Sequence, residues 1–397
     1  MSENLVSATQ AQLDRTRQHI DTYIQSIDAN PDSRFGAYPY YLFHEAGTPI
    51  RGTVMLFHGF TARPHQMWRL ADYLFQNGFN IYQAGLCGHA FLPPDKYWPQ
   101  IDLKPEYANP LREKAQQDPV LMSAVANMMA AANATEAQGR GPNALQSAAL
   151  LARLMKIEPQ LLEIRKALED YDDPDFDRYF ISSHGNYLHE ARSRLAELDA
   201  MPGDIYTLGL SVGGAVSLAL TADRPDRIKK AIAYAPLLEI YGKDRELYVN
   251  LAGPLDIAET GWDPSLRFPL GCFTAVNRFG DFVLLDRNIR KLKEIPTLLV
   301  LTENEDAADI ETNQKLFGQL GGETAGHAYY MYPASDLVPH PMVDPTEVSQ
   351  GMSNQFWQSL YQETFRFLTD GKIIAENMSK LEQDAALPMV PDVMGNE

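Results

Sequence analysis

Cysteine is nearly missing from this chain. Cys87 and Cys272 are the two present in 397 residues, so no disulfide framework is indicated and neither cysteine stands at zinc-ligand spacing. No apolar run approaches the ~20 residues that a membrane-spanning helix needs. The opening Met1-Ser2-Glu3-Asn4-Leu5 has neither a basic region nor an apolar stretch, so no secretory signal is visible and a cytoplasmic location is the expectation. Positive charge is scarce, with 34 Lys and Arg against 52 Asp and Glu and a net charge of −18. Such a surface repels polyanions, which excludes nucleic acid and stable binding to an anionic membrane. It leaves an oligomer open. No internal repeat is apparent.

What remains is ordinary globular material, 45% hydrophobic and 22% charged, enough for a large core. Residues 8–27 read as an amphipathic helix packed on that core, with Leu13, Ile20, Tyr23, Ile24 and Ile27 on one face. Then strands and helices alternate. Thr53–Phe57, Gly78–Tyr82, Asp204–Leu208, Lys230–Tyr234, Thr297–Leu301 and His327–Met331 are apolar strands. Helices are expected over 64–77, 186–199 and 353–369. Continuous apolar strands between helices predict an α/β fold with a mostly parallel sheet covered on both faces.

Two stretches break the rhythm. Residues 92–181 are expected to form an inserted helical cap, with helices over Val120–Ala132, over Ala144–Lys156 and from Pro159 onward. Residues 241–290 are a smaller and less regular excursion. The core is thus expected over 31–91 and 182–370, with the N-terminal helix over 1–30. A polar tail over 371–397 is expected to be loosely ordered.

Gly209-Leu210-Ser211-Val212-Gly213 carries the chemistry. An apolar strand leads in and the apolar run Ala215–Leu220 leads out. Gly-x-Ser-x-Gly between a strand and a helix is a nucleophile elbow. A serine hydroxyl needs a general base, and the base needs an orienting acid, expected in the chain order Ser, acid, His. His327 and His340 follow Ser211. His340 lies in a loop just past a strand, where an open sheet places its active site, and is preferred over His327, which sits inside a strand. The acid should follow Thr297–Leu301, where Glu303, Glu305, Asp306 and Asp309 crowd together. Asp306 has the best position, with Asp309 and Glu303 as rivals. The oxyanion needs two backbone N–H donors: Val212, after the nucleophile, and Phe60, in the His58-Gly59-Phe60-Thr61 turn. His58 can also be read as a metal ligand with His65 or His89, but no acid or cysteine stands at ligand spacing, and neither a metal nor a cofactor is expected.

The segments Gly52–Thr61, Gly78–Tyr82, Gly88-His89, Gly209–Gly214, Ala235-Pro236, Ile295-Pro296-Thr297 and Pro339-His340 together resemble the α/β-hydrolase superfamily. Within it they resemble the monoacylglycerol-lipase-like and serine-aminopeptidase-like branch of small esterases. The resemblance covers about residues 50–90 and 185–370. It implies Ser211 as nucleophile, Asp306 as acid, His340 as base, and Phe60 and Val212 as the oxyanion hole. Three features depart from it. Ala62 stands where the branch often has glycine, Gly88-His89-Ala90 lacks the second glycine, and the larger insertion precedes the nucleophile strand rather than following the strand after it.

The expected activity is hydrolysis of short-to-medium acyl carboxylic esters through an acyl-enzyme. Met122, Met128, Met129 and Met155 are candidates to line an apolar acyl pocket, and Trp98, Trp262 and Phe273 to rim its entrance. The rivals are a peptidase or amidase with Glu303 and Glu305 anchoring a substrate amine, a thioesterase or acyltransferase with the same triad, and a non-catalytic binding module.

Overall fold

The computed structural model describes residues 5–124, 158–240 and 266–391, with 149, 152–153, 155–156 and 256–258 besides. Seven strands build the central sheet: β1 Tyr40–Leu42, β2 Gly52–Phe57, β3 Phe79–Ala84, β4 Ile205–Leu210, β5 Ile228–Tyr234, β6 Thr297–Thr302 and β7 Ala328–Tyr332. Their order across the sheet is β7-β6-β5-β4-β2-β3-β1. All neighbours run parallel except β1, which lies antiparallel to β3 at the edge.

The strands β2, β3, β4 and β6 are buried at every residue, as near-continuous apolar runs covered on both faces must be. Alternation sorts each strand between two cores. Met55 and Phe57 pack on the side of the helices Gln10–Asp28, Asn186–Ala196 and Val212–Asp223. Val54 and Leu56 pack on the opposite side, under Trp68–Gln76 and Trp357–Asp370. The N-terminal helix starts at a capping box in which Thr9 and Gln12 satisfy each other's backbone N–H groups. Its Leu13 and Ile20 are fully buried in the first core.

Several expectations change. Residues 371–391 are not loose. A short helix, Ala375–Met378, buries Met378, and Val390 joins the second core. Gln362 Nε2 donates to the Asp384 and Pro388 carbonyls, and Tyr73 donates to the Pro388 carbonyl as well. A few apolar anchors and paired amides hold a polar segment down. The 241–290 stretch also contains regular structure. The helix Gly271–Val283 buries Cys272, Val276, Phe279 and Val283 against the helix Val212–Asp223. The strands Asp256–Ala258 and Arg267–Pro269 pair just before it.

In the 92–181 stretch, helices occupy Pro105–Gln116 and Leu161–Glu169, and Ile101–Leu103 pairs with Phe180–Ser182. Ile101, Ile164, Phe176, Tyr179 and Phe180 form a small apolar cluster with Ala275 of the helix below. Arg278 on that same helix is 2% exposed. It donates to the Leu168 and Tyr171 carbonyls, and its guanidinium lies 3.5 Å from the Phe176 ring centroid. Most of the expected helices Val120–Ala132 and Ala144–Lys156, with Met128 and Met129, lies outside the described residues, as does Trp262.

Candidate active site

The turn from β4 into the helix Val212–Asp223 puts Ser211 at φ 58°, ψ −122°, a backbone state that L-residues avoid. The glycines around it are steric necessities. A Cβ on Gly209 would sit 2.0 Å from the Gly213 carbonyl oxygen, and one on Gly213 would sit 2.3 Å from the Phe57 carbonyl oxygen. The corner is fastened by backbone bonds. Ser211 N–H donates to the Tyr234 carbonyl at 2.9 Å, and the Ser211 carbonyl accepts from Ala215 and Leu237. Ser211 is 6% exposed.

The loop after β2 runs alongside. A Cβ on Gly59 would lie 3.8 Å from Ser211 Cβ. Among the described residues, neither the Phe60 N–H nor the Val212 N–H has a hydrogen-bond acceptor. The first N–H groups of a helix lack an intrahelical partner, which accounts for Val212. The loop is braced from outside by Arg34, which is 1% exposed and donates to the Thr61 and Ala62 carbonyls. His58 braces it from within. The Leu86 N–H donates to His58 Nε2, so the proton sits on Nδ1, which donates to the Gly59 carbonyl at 2.8 Å. Both ring nitrogens are therefore spent on backbone. Burial lowers the His58 pKa to about 3, and the ring stays neutral.

His340 lies in the loop after β7, between Pro339 and Pro341. Its Nδ1 lies 2.5 Å from Glu305 Oε1. Burial opposes charge on the ring, but the attraction and hydrogen bond of Glu305, helped by Asp306, outweigh it and raise the pKa above 6.5. The sequence points to Asp306 for this place, but the carboxylate against the ring is that of Glu305. Asp306 Oδ2 instead accepts from Ser349 Oγ and Gln350 Nε2, each at 3.0 Å. Glu305 is pinned by the Ala307 and Ala308 N–H groups, which donate to Oε1. Backbone pairing between Asn304 and Pro339 draws the acid loop against the histidine loop. Among the described residues no hydrogen bond joins Ser211 to His340. Both stand at the C-terminal edge of the parallel strands, where a site is expected.

No protein-family model and no curated protein matches this sequence. Solved structures similar to it include a soluble variant of monoglyceride lipase from Saccharomyces cerevisiae, at 12% identity and TM-score 0.47 over 85% of this chain and 92% of that one. A structure described under the metagenome-derived lipolytic enzymes LipS and LipT gives 14% and 0.45 over 78% and 91%. A monoacylglycerol lipase from Paleococcus ferrophilus gives 15% and 0.43 over 84% and 98%. Such likenesses decide nothing about activity. The chain's own sheet order, with an elbow between β4 and its helix, decides the architecture. The chain has the α/β-hydrolase fold.

The other acids of the loop after β6 have structural partners. Asp309 caps the helix Ile310–Leu320 by accepting from Thr312 N–H, and Glu303 accepts from Ala334 N–H. His327 is buried at the start of β7, at the opposite edge of the sheet from Ser211. Trp98 does not rim an entrance. It is 2% exposed, stacked on His89 at 3.9 Å and packed against Phe60 and Phe268. Phe273 is half-buried and lies 5.4 Å from Phe60. Met122 is exposed and Met155 half-buried. Among the described residues, the one group offering three ligand atoms within 4.8 Å of one another is Glu305, Asp306 and His340, and its imidazole already faces Glu305.

Sequence reasoning missed Glu305 as the partner of His340, and it missed Gln66. The Gly59 N–H donates to Gln66 Oε1 at 2.7 Å, and Gln66 Nε2 donates to Glu347 Oε2 at 3.0 Å. A glutamine in a helix-opening turn gives no sign of such a task in sequence.

Proposed function

We propose that this α/β-hydrolase is a serine carboxylesterase acting on short-to-medium acyl esters. Ser211 is the nucleophile, His340 the general base and Glu305 the orienting acid, with Phe60 and Val212 N–H groups as the oxyanion hole. The observation that carries the reading is the Glu305–His340 contact of 2.5 Å on the same sheet edge as the strained serine. A carboxylate on Nδ1 fixes the tautomer that leaves Nε2 free to accept a proton.

His340 takes the Ser211 proton as Oγ attacks the ester carbonyl. The carbonyl electron pair moves to oxygen and is met by two N–H donors. Collapse of this intermediate expels the alcohol, which leaves with the proton held by His340. Water then repeats the sequence and releases the acid. Contacts between nucleophile and base are often looser without substrate, and the Ser211–His340 bond is expected to close on binding.

A peptidase is less well supported, because Glu303 and Glu305, the candidate anchors for a substrate amine, already accept from Ala334 N–H and face His340. The proposed substrate is a small acyl ester, and the proposed location is the cytoplasm. Among the described residues no helix is long and apolar enough to cross a membrane. The test is a series of aryl esters of increasing acyl length on the native chain and on Ser211→Ala, with labelling by a serine-directed phosphonate. Turnover and labelling that both vanish in Ser211→Ala support the reading. A native chain inert to every ester and to the phosphonate overturns it.

A further inference from the structure

We infer that Gln66 is a positioning residue for the oxyanion loop, coupling that loop to the segment that carries His340. The inference rests on the serine-hydrolase reading above. The geometry fixes the orientation of the Gln66 amide without choice. A backbone N–H can only donate, so the oxygen must face Gly59; a carboxylate accepts, so the NH₂ must face Glu347. Both bonds are short, 2.7 and 3.0 Å. Both side chains are buried, Gln66 at 3% and Glu347 at 7% exposure. Hydrogen bonds in such surroundings are stronger than in water, and losing a partner there is costly.

The position of the bond matters more than its strength. The Gly59 N–H belongs to the peptide that immediately precedes the Phe60 N–H. Holding the first anchors Gly59 on its N-terminal side, while the His58 ring holds the Gly59 carbonyl of the peptide from which the Phe60 N–H projects; the Phe60 N–H itself has no acceptor among the described residues. Gly59 also stands directly against the nucleophile, with its Cβ position 3.8 Å from Ser211 Cβ and 3.2 Å from Gln66 Oε1. On the far side, Glu347 lies seven residues beyond His340, and Ser349 and Gln350 just after it hold Asp306. One side chain therefore links the oxyanion loop after β2 to the loop of the base after β7. Gln66 can be held there because the Pro64–Met67 turn buries Pro64, Gln66 and Met67 together.

Gln66 acts through Gly59 and does not touch the ester, so its loss should alter the chemical step and not binding. The test compares the full chain with Gln66→Met, Glu347→Leu and Glu347→Gln, measuring kcat and KM on one aryl ester, the rate of Ser211 phosphonylation, and Tm. Methionine keeps the length and removes the acceptor. Gln66→Met should lower kcat roughly 10- to 100-fold, as small misplacements of catalytic groups do, with KM within about twofold. Phosphonylation should slow in parallel. Glu347→Leu should lower kcat less, and Glu347→Gln, which still accepts from Nε2, should recover most of that loss. The inference is overturned if Gln66→Met keeps native kcat and phosphonylation, if its loss tracks only the fraction of protein unfolded, or if KM rises while kcat holds. Should Gln66→Met fail to fold, equal kcat in Glu347→Leu and the native chain overturns the coupling, and a loss restored by Glu347→Gln supports it. A native chain with neither turnover nor labelling defeats the hydrolase reading first and this inference with it, whereas a native chain that turns over with Gln66→Met equal to it defeats this inference alone.

Discussion

His58 and His340 stand in loops at the same edge of the sheet, the first fully buried and the second 12% exposed at its side chain, yet their rings are driven in opposite directions. His58 meets a backbone carbonyl and a backbone N–H, and burial takes its pKa down to about 3. His340 meets the Glu305 carboxylate, and despite burial its pKa rises above 6.5. Burial alone says little about what a histidine does; the charge of its partner decides. One ring is a neutral strut under the oxyanion loop. The other faces a carboxylate that favours its charged form, and is the proposed general base.

That contrast breaks most visibly at the rings themselves. His340→Ala should reduce ester turnover on the order of 10³-fold or more with little loss of Tm. His58→Ala should cost about 2–4 kcal/mol of stability, because it leaves the Leu86 N–H and Gly59 carbonyl unpaired around a cavity, and should lower turnover far less than His340→Ala, through the loosened loop. Equal effects on turnover would erase the distinction. The next largest effect lies at the acid. Glu305→Gln should reduce kcat by roughly 10²-fold or more, while Asp306→Asn should stay within about tenfold because it only trims the Ser349 and Gln350 contacts. Steady-state kinetics on the two variants decides between neighbouring residues.

The pH dependence sharpens the same comparison. A general base must be neutral to accept a proton, so turnover should rise as pH climbs through a midpoint above 6.5. That limb should move to lower pH in Glu305→Gln. For stability the signs are opposite. The raised pKa of His340 contributes stability that is full below the unfolded value of about 6.5 and is lost as pH rises through the folded value. The lowered pKa of His58 does the converse. Between pH 6.5 and about 3 the unfolded ring binds a proton that the folded ring refuses, so stability falls with pH by about 4 kcal/mol over that window. Denaturant titrations of His58→Gln should show a flatter acid limb than the native chain. The smallest effect is expected at Asp309. Losing this helix cap in Asp309→Ala should cost about 1 kcal/mol and leave kcat untouched.

What could be read from the chain follows how local each device is. The elbow was legible because its requirements sit within five residues: a buried strand, two glycines that must lack Cβ atoms, and an apolar helix. The α/β pattern was legible for the same reason. The carboxylate that faces His340 was not, because Glu305 and Asp306 are neighbours and nothing between them says which turns inward. That choice is made by pairing between Asn304 and Pro339 and by Ser349 and Gln350 holding Asp306 aside, all distant in sequence. The C-terminal segment misled for a related reason. Its composition is polar, and its order comes from Met378, Val390 and the amide pairs of Gln362. Gln66 was invisible because a buried glutamine is defined only by what it faces.

The backbone state of Ser211 carries a last implication. The fold gives up stability to keep one side chain at a corner that favours glycine. A glycine placed there would relax the corner and remove the attacking oxygen in a single change, while Phe60, Val212, His340 and Glu305 keep their surroundings. Such a dormant protein, no less robust than its parent, would retain an ester without cutting it, and the retained molecule would identify the natural substrate.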